Sequence, residues 1–170
     1  IRLLRLMFTD LGEASPWTVL PPYFGPDARP ALNAYIQLLA FARHPVCELW
    51  TSQRTALPLA LVPTNRGGVI NLGTSAGKTR SAELAILQTL LTQPTARVLY
   101  LAPFRSLAIE VEQSLNATFG WLGYRVSHLY GGARVSSVDT ELAAGAIITI
   151  ATPEKARALL RATPELFANI

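Results

Sequence analysis

The sequence predicts an α/β protein built on a parallel sheet with crossover helices. Apolar runs alternate with helical segments between residues 69 and 162, and the connections between them are short. The run at 97–102 is continuously apolar, which is typical of a parallel strand covered on both faces, and the run at 146–151 is the most apolar of all. Because ligands of such sheets bind at the carboxyl ends of the strands, functional residues are expected just after each strand.

An accessory segment, residues 1–45, is predicted ahead of the α/β part, residues 46–170. Prolines interrupt residues 1–30, so this stretch is expected to be irregular after a short apolar start. Between residues 31 and 43 apolar residues recur at helical spacing, and the following His-Pro pair ends that helix. A short helix is expected at 54–61.

The α/β part is predicted to alternate strand and helix along the chain. Its strands are expected at 69–72, 97–102, 124–130 and 146–151, and its helices at 80–91, 106–119, 140–144 and 153–162. The last helix begins at Pro153, a residue that suits the first helical turn, and Thr152 is its expected N-cap.

A phosphate-binding loop is predicted where the first strand runs into Gly77, Lys78 and Thr79, directly before a helix. Backbone N–H groups and the positive end of the helix dipole converge at such a loop. ATP is expected on Thr74, Ser75, Ala76, Gly77, Lys78 and Thr79. Lys78 is assigned to the outer phosphates and Thr79 to a Mg²⁺ ion. Leu72 occupies the position of the first glycine of the usual motif, so Gly73 and Gly77 are expected to supply the unusual backbone angles.

Composition narrows the classes of protein. No uninterrupted apolar run approaches the roughly 20 residues of a membrane span, and the start carries no signal-peptide pattern. The single cysteine, Cys47, excludes an internal disulfide and a cysteine metal cluster, so a cytoplasmic location without a membrane partner is expected. The net charge of +4 is compatible with nucleic acid without demanding it. Only two of the 15 basic residues are lysines, Lys78 and Lys155, which favours a specific role for an ammonium there.

Four segments stand in order along the chain: the loop at 74–79, Ala-Pro-Phe-Arg-Ser-Leu at 102–107, the glycine pair at 131–132 and Ala-Thr-Pro-Glu-Lys at 151–155. Together they resemble the first RecA-like domain of superfamily 2 helicases, in the DEAD/DEAH-type group that includes the Ski-like and DNA-repair helicases. The resemblance implies a partial P-loop NTPase domain that uses ATP and Mg²⁺. It also implies that Gln53, in Leu-Trp-Thr-Ser-Gln, senses the adenine, whereas composition alone makes Gln53 an ordinary helix-start residue.

The resemblance further implies a surface that holds one nucleic-acid strand. It assigns backbone contacts to Pro103, Arg105, Ser106, Gly131, Gly132, Thr152 and Pro153. Glycine amides, a threonine at a helix start and an arginine can hold phosphates, and such contacts fix position without reading base sequence. Taken singly, the glycine pair would be a turn and Arg105 a surface charge. Lys155 is left open between a backbone contact and a solvated first-turn residue.

One departure from the family pattern concerns the chemistry. The Asp-Glu pair that would hold Mg²⁺ and orient the attacking water is absent, and it is expected after residue 170. The chain begins at Ile1 rather than Met, so it is expected to be a piece of a longer polypeptide. Phosphoryl transfer depends on a metal and on positioned charges, so this segment alone is expected to bind nucleotide weakly and hydrolyse almost none.

The sequence therefore predicts the front part of an ATP-driven helicase or translocase motor. Its expected partners are a nucleic-acid strand and the rest of the same polypeptide, including a second RecA-like domain. DNA is favoured over RNA because members of the branch it resembles are often repair or defence helicases. Two alternatives stay open: another phosphate-loop enzyme such as a nucleotide kinase or metabolic ATPase, and a non-catalytic scaffold that binds nucleotide or nucleic acid.

Overall fold

The backbone of the computed structural model divides into unit 1, residues 1–92, and unit 2, residues 93–170. The structure describes residues 2–62, 67–74, 76–129 and 134–170. The boundary predicted from the sequence, between residues 45 and 46, stays a prediction.

Unit 1, in its described part, consists of helices and turns. The helices are α1 (Arg2–Ala14), the one-turn α2 (Pro16–Val19), α3 (Arg29–Phe41), α4 (Thr51–Leu61) and α5 (Lys78–Thr92), with 3-10 turns at Pro21–Tyr23 and Pro26–Ala28. The expectation of an irregular lead-in is wrong. Pro16, Pro21, Pro26 and Pro30 each lie in the first two positions of a helix or turn, where a backbone N–H is not needed.

The buried side chains of α3 confirm the helix predicted at 31–43. Leu32, Tyr35, Ile36 and Leu39 recur at helical spacing and are all buried. Fully burying an apolar side chain of this size contributes about 1.5–3 kcal/mol. The longest helix, α5, has 15 residues, and in the described part of the chain no helix has the length and apolar character needed to cross a membrane.

Unit 2 contains a three-stranded parallel sheet. Its strands β1 (Val98–Leu101), β2 (Val126–Leu129) and β3 (Ile148–Ala151) lie in the order β1-β3-β2. All four residues of the central strand β3 are buried, as expected for a continuous apolar strand inside a covered sheet. Leu101 and Leu129 both pair with Ala151, so the three strands end at the same level. The predicted parallel α/β fold is confirmed.

The helices of unit 2 connect and follow these strands. They are α6 (Arg105–Leu115), continued by a π-helical turn at Asn116–Gly120, then α7 (Ser137–Gly145) and α8 (Pro153–Ala162), with a 3-10 turn at Pro164–Phe167. Arg97 donates to the carbonyl oxygens of Ala143 at 2.9 Å, Ala146 at 2.7 Å and Leu166 at 3.2 Å. A cation is favourable at the C-terminus of a helix, so Arg97 joins the end of α7 to the terminal turn.

The strand predicted at 69–72 is not formed. The described residues 67–73 have no regular secondary structure, and the side chain of Val69 is 88% exposed. A strand needs a neighbour for its backbone N–H and C=O groups, and apolar sequence alone does not supply one. The predicted phosphate loop is therefore preceded by an irregular segment rather than by a strand.

Candidate nucleotide and nucleic-acid sites

Lys78 is the first residue of α5, and its side chain folds back over the phosphate loop. Its Nζ atom donates to the carbonyl oxygens of Leu72 at 3.0 Å and of Gly73 at 2.9 Å. Opposite charges attract more strongly than a charge and a carbonyl dipole, so a phosphate at this place would compete well for the ammonium. The structure thus places the Lys78 ammonium against the backbone of residues 72 and 73.

Gly77 has a φ of +84°, in the left-handed region that glycine adopts without steric cost. Gly73 lies outside that region, so the expectation that both glycines supply unusual angles is wrong for Gly73. Gly77 also lies against Gln53: a Cβ atom on Gly77 would come within 2.7 Å of Cδ and 2.8 Å of Cγ of Gln53. The loop backbone and the glutamine side chain are therefore in direct contact.

The start of α4 holds Gln53 in place. Its Oε1 atom accepts a hydrogen bond from the backbone N–H of Trp50 at 2.8 Å, and the residue is 6% exposed. The neighbouring Ser52 donates from Oγ to the carbonyl oxygen of Ala76 at 3.0 Å. Two successive residues of α4 thus contact the phosphate loop. The helix-start role of Gln53 is observed, and its adenine-sensing role stays a prediction.

The donors around the loop fit a phosphate group better than they fit a metal. The first turn of α5 leaves backbone N–H groups without helical partners, and Lys78 adds a positive charge beside them. Thr74 and Thr79 are exposed, Ala76 is half-buried, and Ser75 lies outside the described residues. Within residues 2–62, 67–74, 76–129 and 134–170, no group of three His, Cys, Asp or Glu could hold a metal ion.

A largely buried polar network joins α3 and α5 and is not predicted from the sequence. The hydroxyl of Tyr35, on α3, accepts a hydrogen bond from Arg80 NH1 at 3.3 Å. The same NH1 atom pairs with Glu83 Oε1 at 2.7 Å, and Glu83 is 1% exposed. Arg80 and Glu83 stand three residues apart on one helix, which is the signal that could have suggested the ion pair. No sequence signal points to Tyr35, which reads as an ordinary core residue.

Two loops at the carboxyl end of the unit 2 sheet lie side by side. The backbone N–H of Ala102, after β1, donates to the carbonyl oxygen of Ala151, at the end of β3, at 3.0 Å. This edge brings together five of the residues predicted to contact nucleic acid: Pro103, Arg105, Ser106, Thr152 and Pro153. All of them are exposed except Thr152, which is 9% exposed. Gly131 and Gly132 lie outside the described residues.

Two helices begin at this edge of the sheet. Phe104 precedes α6 and Thr152 precedes α8, and neither side chain accepts a hydrogen bond from its helix. The predicted capping role of Thr152 is therefore only positional. First-turn N–H groups without a side-chain cap are suited to phosphate oxygens, and the helix dipole favours an anion at the same place.

Lys155 is buried, so of the two roles left open by the sequence the solvated one is wrong, and the contact to nucleic acid stays a prediction. It is 4% exposed, and its Nζ donates to Asp139 Oδ2 at 2.7 Å and to the carbonyl oxygen of Arg134 at 2.6 Å. Asp139 in turn accepts from the backbone N–H of Ser136 at 2.7 Å. Lys155 thus joins the first turn of α8 to the start of α7, and it could meet a phosphate only by leaving these partners.

Replacing Lys155 with methionine, which keeps the aliphatic length but removes the ammonium, is expected to destabilise unit 2 by about 1.5–3 kcal/mol, the range for hydrogen bonds to charged groups. Faster amide exchange in residues 134–145 and 153–162, measured by mass spectrometry, would report the loss. Arg157→Met removes a charge from an exposed side chain of the same helix and is expected to leave exchange unchanged. Equal exchange in wild type and Lys155→Met would contradict the structural role.

The Lys155–Asp139 pair also predicts a dependence on pH. Burial alone would raise the pKa of Asp139, but hydrogen bonds from Lys155 and Ser136 outweigh it and hold that pKa below its ordinary value. The stability from the pair is therefore fully present above the ordinary aspartate pKa of about 4 and is lost as the pH falls through the lower pKa of the folded state. Lys155→Met should weaken this acid sensitivity.

Unit 2 is a parallel α/β fold, and in unit 1 a Gly-Lys-Thr segment stands at the start of α5, as expected of a phosphate-binding loop. Comparison with known proteins gives a narrower assignment, because residues 50–170 match the model of the DEAD/DEAH box helicase family. The chain belongs to the DEAD/DEAH box helicase family. This assignment argues against the alternative of a nucleotide kinase or metabolic ATPase.

Individual relatives differ in how much of the chain they match. The Hachiman protein HamB of Bacillus cereus is 44% identical over 165 residues, which is 97% of this chain and 14% of HamB. The ATP-dependent RNA helicase RhlB of Xanthomonas oryzae pv. oryzae is 33% identical over 135 residues, 75% of this chain and 22% of RhlB. The ATP-dependent rRNA helicase RRP3 of Pyricularia oryzae is 36% identical over 102 residues, 59% of this chain and 19% of RRP3. The chain therefore spans less than a quarter of the length of each of these relatives.

Proposed function

We propose that this chain forms the front part of the first motor domain of an ATP-dependent helicase or translocase. The observation that supports the proposal is the arrangement of the predicted phosphate loop in a chain of this family. Lys78, the first residue of α5, donates to the carbonyl oxygen of Leu72, and Gly77 lies against Gln53. A larger polypeptide with a second RecA-like domain would complete the motor.

In the proposed site, ATP lies on residues 74–79. Lys78 exchanges the carbonyl oxygens of Leu72 and Gly73 for the β- and γ-phosphates, and the Thr79 hydroxyl contributes to a Mg²⁺ site. When bound, Mg²⁺ neutralises charge on the phosphates. Gln53 contacts the adenine, and its close packing on Gly77 would carry the state of the base pocket to the loop.

The proposed nucleic-acid contacts lie at the carboxyl edge of the unit 2 sheet. Exposed Pro103, Arg105 and Ser106, together with Thr152 and Pro153, would hold the sugar-phosphate backbone of one strand. Two uncapped helix N-termini at the same edge support phosphate binding. Such contacts do not choose between DNA and RNA, and the relatives whose names state a substrate are RNA helicases.

The proposal is tested by measuring ATP hydrolysis by the full-length protein with and without single-stranded DNA or RNA of equal length. We expect at least one polymer to stimulate hydrolysis, and we expect added salt to weaken its binding because the contacts are to phosphates. The preference predicted for DNA is tested in the same assay. Hydrolysis that neither polymer stimulates would contradict the motor assignment. Nucleotide or nucleic-acid binding without any hydrolysis would favour the scaffold.

A further inference from the structure

We propose that the accessory helix α3 sets the affinity of the phosphate loop for ATP through a buried joint formed by Tyr35, Arg80 and Glu83. The inference rests on the proposed nucleotide site and concerns its regulation. The match to the family model begins at residue 50, so Tyr35 lies outside the residues that the family model covers. The accessory helix would thus add a control of the motor that the family domain itself does not contain.

The joint attaches to the turn of α5 that would bind phosphate. Arg80 is the third residue of α5 and directly follows Lys78 and Thr79. Its NH1 atom is shared between the Tyr35 hydroxyl at 3.3 Å and the Glu83 carboxylate at 2.7 Å. A guanidinium held by partners on two different helices has little freedom to move, because its donors are fixed in one plane. Any displacement of α3 at Tyr35 is therefore passed to the first turn of α5.

The charges of the joint matter because Glu83 lies on α5, the helix that begins at Lys78. A carboxylate in the first two turns of α5 would repel the phosphates of ATP, and its burial weakens screening by solvent. Arg80 offsets that charge while it is held over Glu83. Arg80 is thus a positioning residue for the loop, and Tyr35 positions Arg80.

The charges of Tyr35 and Arg80 do not change near neutral pH, so the joint does not act as a pH switch. Burial raises the pKa of the Tyr35 hydroxyl well above its ordinary value, and the charge of Glu83 raises it further. The hydroxyl therefore stays protonated near neutral pH. Burial alone would lower the pKa of the Arg80 guanidinium, but Tyr35 and Glu83 outweigh it and raise that pKa. The geometry of α3, rather than proton uptake, would change the state of the joint.

The loop is held from a second side by α4. Gln53 packs on Gly77, and Ser52 donates to the carbonyl oxygen of Ala76. The phosphate-binding turn therefore lies between a contact to α4 and a contact to α3. If the contact to α3 is loosened, the turn keeps its fold through α4 but loses the position of Arg80. This predicts a loss of ATP affinity that exceeds any loss of stability.

The test measures the dissociation constant of Mg-ATP for the full-length protein by calorimetric titration, well below its unfolding temperature. Tyr35→Phe removes only the hydroxyl, and we expect it to weaken ATP binding about 3- to 10-fold. This is smaller than the full contribution of a hydrogen bond to a charged group, because only part of that contribution would reach the loop. Arg80→Gln should weaken binding more. Glu83→Gln should tighten it, because it removes a negative charge near the phosphates. All three variants should lower thermal stability, so opposite effects on affinity cannot come from instability.

Ile36→Val is the matched control on α3. It removes one methylene from a buried side chain beside Tyr35, so it should lower stability and leave ATP affinity unchanged. The proposal is overturned if Tyr35→Phe binds ATP as the wild type does, if Ile36→Val weakens binding equally, or if Glu83→Gln weakens binding as Arg80→Gln does. If the wild type binds no ATP, the proposed nucleotide site fails as well. If the wild type binds ATP and Lys78→Ala does not, the proposed nucleotide site is supported. The variants of Tyr35, Arg80 and Glu83 then test only the proposed joint.

Discussion

In the full-length protein, Lys78→Ala should abolish ATP hydrolysis stimulated by nucleic acid while leaving the fold intact. The ammonium of Lys78 is the positive charge that the structure holds against the phosphate loop, on the carbonyl oxygens of Leu72 and Gly73. Removing one preorganised group that stabilises transition-state charge costs about 100- to 1,000-fold in rate. The side chain is exposed, so the free energy of unfolding should change by less than about 0.5 kcal/mol.

Two further variants sharpen the test of Lys78. Lys78→Arg keeps the charge but replaces a compact ammonium with a planar guanidinium, so it should also lose most activity. Arg43→Ala removes a positive charge from an exposed side chain outside the loop and should hydrolyse ATP at the wild-type rate. Stimulated hydrolysis retained in Lys78→Ala would remove the assignment of the loop and, with it, the motor mechanism.

The sequence predicts those parts of the fold that depend on residues adjacent in the chain. Apolar runs predict β1, β2 and β3, and their pairing in a parallel sheet confirms them. The run at 69–72 is also mostly apolar but forms no strand, because a strand also needs a partner from another part of the chain. The prolines of the first 30 residues mislead for a different reason, since proline breaks a helix in its interior but can begin one.

The candidate sites divide in the same way. The phosphate loop is visible in the sequence because its residues are consecutive and their chemistry is local. The partners of Tyr35 and Lys155 are not visible, because Arg80 lies 45 residues from Tyr35 and Asp139 lies 16 residues from Lys155. A lysine in the first turn of a helix is usually solvated, so only the packed structure turns Lys155 into a buried link between α7 and α8.

Gly77→Ala is expected to disrupt the loop more severely than Gly73→Ala, the same substitution at the other described glycine of the loop. The φ of +84° costs a residue with a side chain about 1–2 kcal/mol. The added Cβ would also press on Gln53, which cannot easily give way because it is buried and bonded to the backbone of Trp50. Overpacking of this kind costs a further 1–3 kcal/mol or so. Thermal unfolding and Mg-ATP titration of the full-length protein should therefore show lower stability and strongly weakened binding.

Gly73→Ala provides the matched control for stability within the same loop. Its φ lies outside the left-handed region, and a Cβ atom there would meet nothing within 4 Å. This substitution should leave the unfolding temperature unchanged or raise it slightly, because alanine restricts the unfolded chain by about 0.4–1 kcal/mol relative to glycine. If Gly77→Ala and Gly73→Ala unfold at the same temperature, the contact between Gly77 and Gln53 does not constrain the loop. The link from α4 to the phosphate site would then rest on Ser52 and Ala76 alone.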